Sequence, residues 1–314
     1  MVRYLGSKLL QLVVIAFCIS ILAFLLVHLL PGDPTVSILG PNDTPQAKAE
    51  LLRQLGLNKP LPQQYWIWLV NVLHGNLGAS FLTHQSVTNA LGVAFPIDLE
   101  LIIVSQVMAL AVSIPLALFA ALRPNRRFDR ITTTSTYVLL AVPTFVIAVI
   151  LVLVVAVKIH IFPATGYTPL SQDFGANLKS VLLPSIALAL GSIAIYFRLL
   201  RADLIATLQE DYITMARSKG LSTRYILLRH ALRPSSFALL AGGGLVVGSL
   251  FTGAFVVEYL FQLPGIAFQL VASINSRDYL MVQGMALVAA VAFVVINFGV
   301  DIALTVLDPR VRRG

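Results

Sequence analysis

Six long apolar runs dominate this sequence. They cover residues 9–30, 101–122, 137–157, 181–200, 237–257 and 281–307, and only Arg198 and Asp301, near two ends, are charged. A helix crosses the hydrocarbon core of a bilayer in about 20 apolar residues. Across all 314 residues 58% are hydrophobic and 11% are charged, whereas a soluble domain is roughly one-quarter charged. The pattern predicts an all-α membrane protein with six transmembrane helices.

Lysine and arginine are unevenly divided between the two sides of such a bundle. Sixteen fall on the side of the N-terminus, of loops 123–130 and 198–233, and of the C-terminal tail; six fall on the other side. Because cytoplasmic loops carry the excess of basic residues, both termini are expected in the cytoplasm. The first run is too long for a signal-peptide core and is expected to remain as a span.

The segment 31–97 is therefore expected to be extracytoplasmic, with two short helices. Thr44 predicts an N-cap before Pro45, and Gly56 the end of that helix. Pro62 predicts the start of a second helix and Gly75 its end. Its apolar stripe fits either the membrane interface or packing on other helices; it comprises Trp66, Leu69, Val70 and Leu73, with Tyr65 and Trp68 nearby. The loop 259–280, apolar around residues 263–266, is expected along the membrane surface.

The cytoplasmic stretch 203–234 predicts a helical hairpin. Its first helix is expected from about Ala206 to Lys219 with Gly220 after its end, and Ser222 is expected to cap a second helix that stops at Pro234. A solvated loop with positive-inside charges is the plain alternative. A simple connector needs only a few residues, so a stretch of more than thirty favours a docking element for a cytoplasmic partner. A DNA-binding role is excluded because two spans tether the hairpin to the membrane.

Several chemistries are not indicated. The sequence contains no phosphate-binding loop, its five histidines are scattered, and Cys18 is the single cysteine. Neither an enzyme activity, a metal site nor a cofactor site is therefore expected in this chain. Asp98, Glu100 and Glu258 near outer span ends are expected to be ordinary interface residues, with attraction of a cationic amine or pairing with Arg277 as the alternatives.

Prolines and glycines interrupt the spans. Pro115, Pro143 and Pro184 can each kink a helix. Five glycines between residues 242 and 253 allow close helix packing or line a narrow path. The candidate path residues of this span are Gly244, Gly248, Ser249, Thr252 and Glu258.

Four motifs in order resemble one known family. The first is Leu-Pro-Gly-Asp-Pro at 30–34, and the second comprises residues 55–61, 64–69 and 75–81. The third comprises residues 211–212, 216–221 and 229–233. The fourth comprises residues 258–266 with Arg277-Asp278-Tyr279 and Gln283-Gly284. The chain resembles the permease subunit of bacterial ATP-binding-cassette importers of the peptide and nickel branch. It is most similar to the first membrane subunit of a dipeptide importer.

The resemblance implies a type I importer permease in the bacterial cytoplasmic membrane. The hairpin would hold the coupling helix, which seats on a separate ATPase subunit that binds ATP and Mg. The implied coupling residues are Asp211, Tyr212, Met215, Ala216, Arg217, Lys219, Gly220 and Leu221. In the family's E-A-A-x-x-x-G motif, Ala216 and Gly220 match, whereas Thr214 and Met215 replace the glutamate and the first alanine.

The implied plan has three parts: residues 1–30 as the first helix, 31–97 as the outer segment and 98–314 as the permease core. The implied partners are a second homologous permease, ATPase subunits, an extracytoplasmic substrate-binding protein and membrane lipid, without nucleic acid. Dipeptides, longer peptides, nickel chelates, haem and sugars all remain open as substrates. An ion-driven secondary transporter and a non-transporting membrane scaffold are the alternatives, although no ionisable coupling site lies at mid-span.

Overall fold

The computed structural model describes residues 2–29, 39, 44–54 and 58–307. The motif at 30–34, Gly56 and the basic tail after residue 307 lie outside these described residues. The chain divides into two compact units: Met1–Asp98 with Pro264–Val295, and Leu99–Leu263 with Ile296–Gly314.

Apart from an isolated β-bridge, every secondary-structure element in the described residues is helical. Twelve α-helices follow one another, with π-helical turns at Val152–Lys158 and Ile226–Ala231. They are α1 (Val2–Leu29), α2 (Pro45–Gln54), α3 (Leu61–Leu73), α4 (Val87–Leu122), α5 (Arg127–Ala141), α6 (Thr144–Leu151), α7 (Phe174–Thr207), α8 (Asp211–Ser218), α9 (Thr223–Tyr225), α10 (Leu232–Phe261), α11 (Ile266–Asn275) and α12 (Tyr279–Leu307).

Within the part of the chain that the structure describes, five helices are long and apolar enough to cross a membrane by themselves. These five segments lie in α1, α4, α7, the stretch from α9 into α10, and α12. Two bent pairs, α5 with α6 and the end of α10 with α11, raise the possible number to seven. The predicted all-α membrane class is confirmed, and the predicted six spans fall within this range.

The third predicted span is not one straight helix. It consists of α5 and α6, which meet at an angle of 99° around Val142 and Pro143. Pro143 is the residue before α6, where it has no N–H to offer the preceding helix. Pro115 and Pro184, in contrast, lie inside continuous helices.

The second predicted span begins much earlier than expected. Helix α4 starts at Val87 and runs through Pro96 without a break, so the expected boundary at residue 97 falls inside it. Buried Asp98 accepts a hydrogen bond from the backbone N–H of Ile266 at 3.2 Å, which gives this carboxylate a partner within the helix packing.

The helices of the segment 31–97 begin and end close to the predicted positions where they are described. Thr44 caps α2 through its hydroxyl, which accepts from the N–H of Ala47 at 3.2 Å. Helix α3 ends at Leu73, and Gly75 forms the turn after it, with φ +81° and its N–H donating to the carbonyl of Val72. Glycine adopts this left-handed conformation without steric cost.

The first unit has a core where α4, α11 and α12 meet. Val87 and Ala94 of α4 pack with Ile266 and with Met285 of α12. Because Ile266 is buried here, the segment around it packs against protein. Its expected position along the membrane surface stays a prediction.

The second unit is organised around α7, which packs on α5, α6 and α10. Its core joins Phe197 and Leu204 of α7 to Leu227, Ala231 and Leu239. The C-terminal turns of α7 are therefore fixed against the segment that follows the hairpin.

Candidate functional site

The cytoplasmic hairpin predicted from the sequence is a small, well-capped unit between α7 and α10. Its first helix, α8, begins at Asp211 and not near Ala206 as expected. Residues Ala206 and Thr207 still belong to α7, and a turn at residues 208–210 separates the two helices. No glycine or proline marks that turn, so the sequence offered no signal for it.

The end of α8 follows the prediction. Gly220 has φ +77°, and its N–H donates to the carbonyl of Arg217 at 2.9 Å. The N–H of Leu221 donates to the carbonyl of Ala216 at 3.3 Å. This pair of bonds is the Schellman motif, which satisfies the last carbonyls of a helix and needs a left-handed residue. The turn therefore fixes Leu221 against the end of α8.

Ser222 starts the second arm, also as predicted. Its hydroxyl accepts from the N–H of Tyr225 at 3.4 Å, and its carbonyl accepts from Ile226. The second arm does not stop at Pro234, however. It passes through the π-helical turn, where the N–H of Leu232 reaches back five residues to Leu227, and continues as α10. Pro234 is tolerated because it occupies the first turn of α10, after the hydrogen-bond register has changed.

One face of the hairpin is buried and holds the two arms together. Ile213 and Ala216 of α8 pack on Ile226, with Leu208 beside them. The hydroxyl of Tyr212 donates to the carbonyl of His230 at 3.4 Å, and the hydroxyls of Thr207 and Ser235 are 3.1 Å apart at the base. These contacts make the hairpin one unit with the ends of α7 and α10.

The hairpin also has exposed apolar side chains. Met215 has 57% of its surface exposed, Tyr212 43% and Leu221 38%. The hairpin carries five exposed basic side chains, Arg217, Lys219, Arg224, Arg229 and Arg233, against the exposed acidic Glu210 and Asp211. Partial burial, and then the charges of Glu210 and Asp203, raise the pKa of Tyr212, so its hydroxyl stays neutral at physiological pH. An exposed apolar knob on a hairpin with an excess of cations suits a protein groove with an acidic border.

The predicted coupling residues thus fall into two sets. Ala216 is buried and Gly220 forms the turn, whereas Asp211, Tyr212, Met215, Arg217, Lys219 and Leu221 are exposed. The first set shapes the hairpin and the second set is available for contact.

An ion pair that the sequence analysis missed fixes the base of α7. Both carboxylate oxygens of Asp129, in α5, bond to the guanidinium of Arg201, in α7, one of them at 2.6 Å from Nη2. Asp129 also accepts from the N–H of Asn125 at 2.7 Å and is only 2% exposed. The one signal was an acidic residue inside a loop with four arginines. Sequence spacing could not identify its partner 72 residues away.

The predicted path residues do not form one cluster. A side chain at Gly244 would meet Val300 of α12, and one at Gly248 would lie 2.7 Å from the amide of Asn297. These two glycines therefore permit close packing of α10 on α12. Ser249 is exposed, its hydroxyl bonding to the carbonyl of Val246, and the side chain of Thr252 lies outside the described residues. Glu258 is ten residues beyond Gly248, about 15 Å along the helix.

Two of the three acidic residues predicted near span ends are not ordinary interface residues. Asp98 and Glu258 are buried, whereas Glu100 is half-buried and accepts a hydrogen bond from the hydroxyl of Tyr167 at 2.7 Å. Burial and this bond to Glu100 raise the pKa of Tyr167. The expectation was wrong for Asp98 and Glu258 because burial of acidic side chains by neighbouring segments has no local sequence signal.

Comparison with known proteins identifies the family. Residues 113–313 match the family model described as the binding-protein-dependent transport system inner membrane component, and residues 1–102 match its N-terminal companion. A Brucella abortus protein named as a peptide transport system permease is 35% identical over 302 residues, covering 96% of both chains.

Two further relatives cover the chain almost completely. A Sinorhizobium fredii protein named as a peptide ABC transporter permease is 33% identical over 98% of this chain and 99% of its own. The glutathione transport system permease protein of Escherichia coli K12 is 33% identical over 99% of both. The chain belongs to the binding-protein-dependent inner-membrane permease family, and it is a multi-pass permease subunit of an ATP-binding-cassette importer.

Proposed function

We propose that this chain forms half of the translocation path of a peptide importer, and that its hairpin at 203–234 transmits motion from a separate ATPase. The observation that carries the proposal is the two-faced hairpin: Met215 and Tyr212 are exposed on one side, while Ile213 is buried on the other. A coupling element needs both an anchored face and a contact face.

The anchoring explains how force could reach the membrane. The hairpin is joined to α7 and α10 by Thr207 and Ser235, and α7 is joined to α5 by Asp129 and Arg201. When ATP and Mg bind on the partner and its two halves close, a hairpin seated in that partner moves with it. The rigid base passes the motion to three helices and not to one loop.

Membership of the family supports the remaining parts of the proposed assembly. In this proposal ATP is hydrolysed on separate ATPase subunits. A second homologous permease supplies the other half of the path, and an extracytoplasmic substrate-binding protein delivers the substrate. With both termini in the cytoplasm, the permease core 98–314 presents the hairpin to the ATPase. Gly244, Gly248, Ser249, Thr252 and Glu258 stay as candidates for the path.

A peptide is the substrate that the relatives support. Two of them are named for peptide transport and one for glutathione transport, each aligned over nearly the full chain. Named functions over the full length favour this class above nickel chelates, haem or sugars.

Charge insertion into the exposed face tests the coupling role. The importer is purified through a tag on this chain, with Met215→Glu compared with Leu170→Glu, a matched change of an exposed residue in the loop before α7. We expect Met215→Glu to lose most of the co-purifying ATPase and of the ATP-dependent peptide uptake, because a carboxylate would enter an apolar contact. Leu170→Glu should retain the ATPase.

Three results would contradict the proposal. Normal ATPase recovery with Met215→Glu would show that the hairpin is not the docking element. Uptake by the reconstituted chain alone, driven by an ion gradient without any ATPase, would favour the secondary transporter; partner binding without uptake would favour the scaffold.

A further inference from the structure

Helix α3 is attached to the side of α1 through an aromatic cluster. The hydroxyl of Tyr65 lies 2.8 Å from that of Ser20, and the Tyr65 ring meets the edge of Phe24 with centroids 5.4 Å apart. Phe17 and Trp68 complete the cluster, Trp68 packing on Phe24 at 5.9 Å. All these contacts lie within the first unit of the chain.

The position of these contacts along α1 sets the depth of α3. Phe17, Ser20 and Phe24 all lie within Lys8–Leu25, the apolar window of the first span. At 1.5 Å per residue, Ser20 is about 14 Å along the axis from Leu29, where α1 ends. A helix that contacts α1 there is level with its apolar window and not with the water beyond the end of the span.

On its other side, α3 is not covered by any of the residues that the structure describes. Trp66 is 65% exposed and Leu73 is 76% exposed. They are seven residues apart, which places them on the same side of the helix. Helix α3 contains no Asp, Glu, Lys, Arg or His in its 13 residues. Its polar side chains, Gln63, Gln64 and Asn71, lie in the first and last turns.

Several backbone groups at the ends of α3 are bonded within the chain itself. The N–H groups of Gly75 and Asn76 donate to the carbonyls of Val72 and Asn71, each at 2.9 Å. The ring Nδ1 of His74 is 2.7 Å from the carbonyl of Val70. At the start, Pro62 has no N–H, and the carbonyl of Pro60 accepts from Gln63 and Gln64. Because lipid supplies no hydrogen-bond partners, each of these bonds lowers the cost of placing α3 in it.

We infer that α3 lies within the lipid, beside the C-terminal half of α1, with Trp66 and Leu73 against acyl chains. Lipid is the occupant of this face because the exposed side of α1 that continues from it is also apolar: Val13, Val14 and Phe17 are each more than half exposed. A face that belongs to a water-soluble partner would need polar groups at its border, and α3 has no charge to offer. The helix would thus anchor the outer segment and limit how far it can move from α1.

The two tryptophans of the chain make this directly testable. Both, Trp66 and Trp68, are in α3. The full-length chain is reconstituted into phosphatidylcholine vesicles with or without bromine on the acyl chains, as Trp68→Phe, which keeps Trp66, and as Trp66→Phe, which keeps Trp68. Iodide in the buffer serves as the aqueous quencher, and the double variant gives the background.

We expect brominated lipid to remove most of the Trp66 emission and less of the Trp68 emission, because Trp68 packs on Phe24. Iodide should leave both nearly unchanged. Strong quenching of Trp66 by iodide, with little effect of bromine, would overturn the inference and place this face in water. Protection of Trp66 from both quenchers would also overturn it, since protein would then cover the face. If one variant fails to fold, the wild-type chain compared with the other variant still isolates Trp66. None of these outcomes depends on the coupling role of the hairpin.

Discussion

Helices α1 and α7 are both apolar enough to span a membrane, yet they occupy opposite environments. In α7, 72% of the apolar window is buried inside the chain, against 17% in α1. The hydropathy of the two windows is similar. Apolar content therefore reports which segments meet the membrane, but not which of them form the centre of the bundle.

Small and polar residues make the difference. In lipid, helices gain little from hydrophobicity alone and associate through close packing and hydrogen bonds. Helix α7 buries a series of small and hydroxyl residues, including Ser180, Ser185, Ala189 and Ser192. It also buries Tyr196, whose hydroxyl donates to Gln106 of α4. In α1, the hydroxyl of Ser20 makes a contact of this kind with Tyr65 of α3.

Removing Asp129 should have the largest effect, because it breaks the ion pair that holds the base of α7. Asp129→Ala leaves the Arg201 guanidinium and the N–H of Asn125 without their partner. Loss of one member of a buried pair costs about 3 kcal/mol. The measurement is the free energy of unfolding in detergent micelles. Glu210→Ala is the matched control, because that exposed side chain makes no capping hydrogen bond. Equal losses in the two variants would show that the ion pair does not stabilise α7.

The second-largest effect is expected from enlarging a small residue, and it should differ between α7 and α1. Ala194 of α7 is fully buried and Cys18 of α1 is exposed. Ala194→Leu should destabilise the protein by about 1–3 kcal/mol through overpacking. Cys18→Leu should change it by less than about 0.5 kcal/mol, since lipid rearranges around the new side chain. Thermal unfolding of both variants in the same detergent measures this, and a similar loss in each would contradict the assigned positions.

The smallest effect is expected at the polar contact of α1 itself. Tyr65→Phe removes the hydrogen bond to Ser20 but keeps the ring among Phe17 and Phe24. Interhelical hydrogen bonds in membranes contribute about 0.6 kcal/mol on average. A double-mutant cycle with Ser20→Ala measures the coupling. A coupling energy of zero would show that the aromatic rings alone hold α3 on α1.

Features set by neighbouring residues were predictable from the sequence. The caps at Thr44 and Ser222 and the glycine turns at Gly75 and Gly220 depend on a few adjacent positions, and all four were predicted. The hairpin's location between two spans followed from hydropathy and charge.

Features set by distant segments were not predictable. Asp98 was read as the edge of a span because a carboxylate there is costly in lipid, but the N–H of Ile266, 168 residues away, is its partner. The pairing of Asp129 with Arg201 is hidden for the same reason. The start of α8 at Asp211 was missed because the turn before it contains no turn-forming residue.

The π-helical turn at Ile226–Ala231 has a consequence for how the hairpin is aimed. A π-turn contains one residue more than the α-turn that it replaces, and each residue of an α-helix advances the chain by about 100° around its axis. If this turn tightened to an α-helix while all its residues stayed in the chain, the extra residue would add about 100° of rotation and swing the knob of Tyr212, Met215 and Leu221 by roughly a quarter of a circle about the axis of α10. The direction in which the hairpin points is thus set by the width of one backbone turn, independently of the residues that make its contact face.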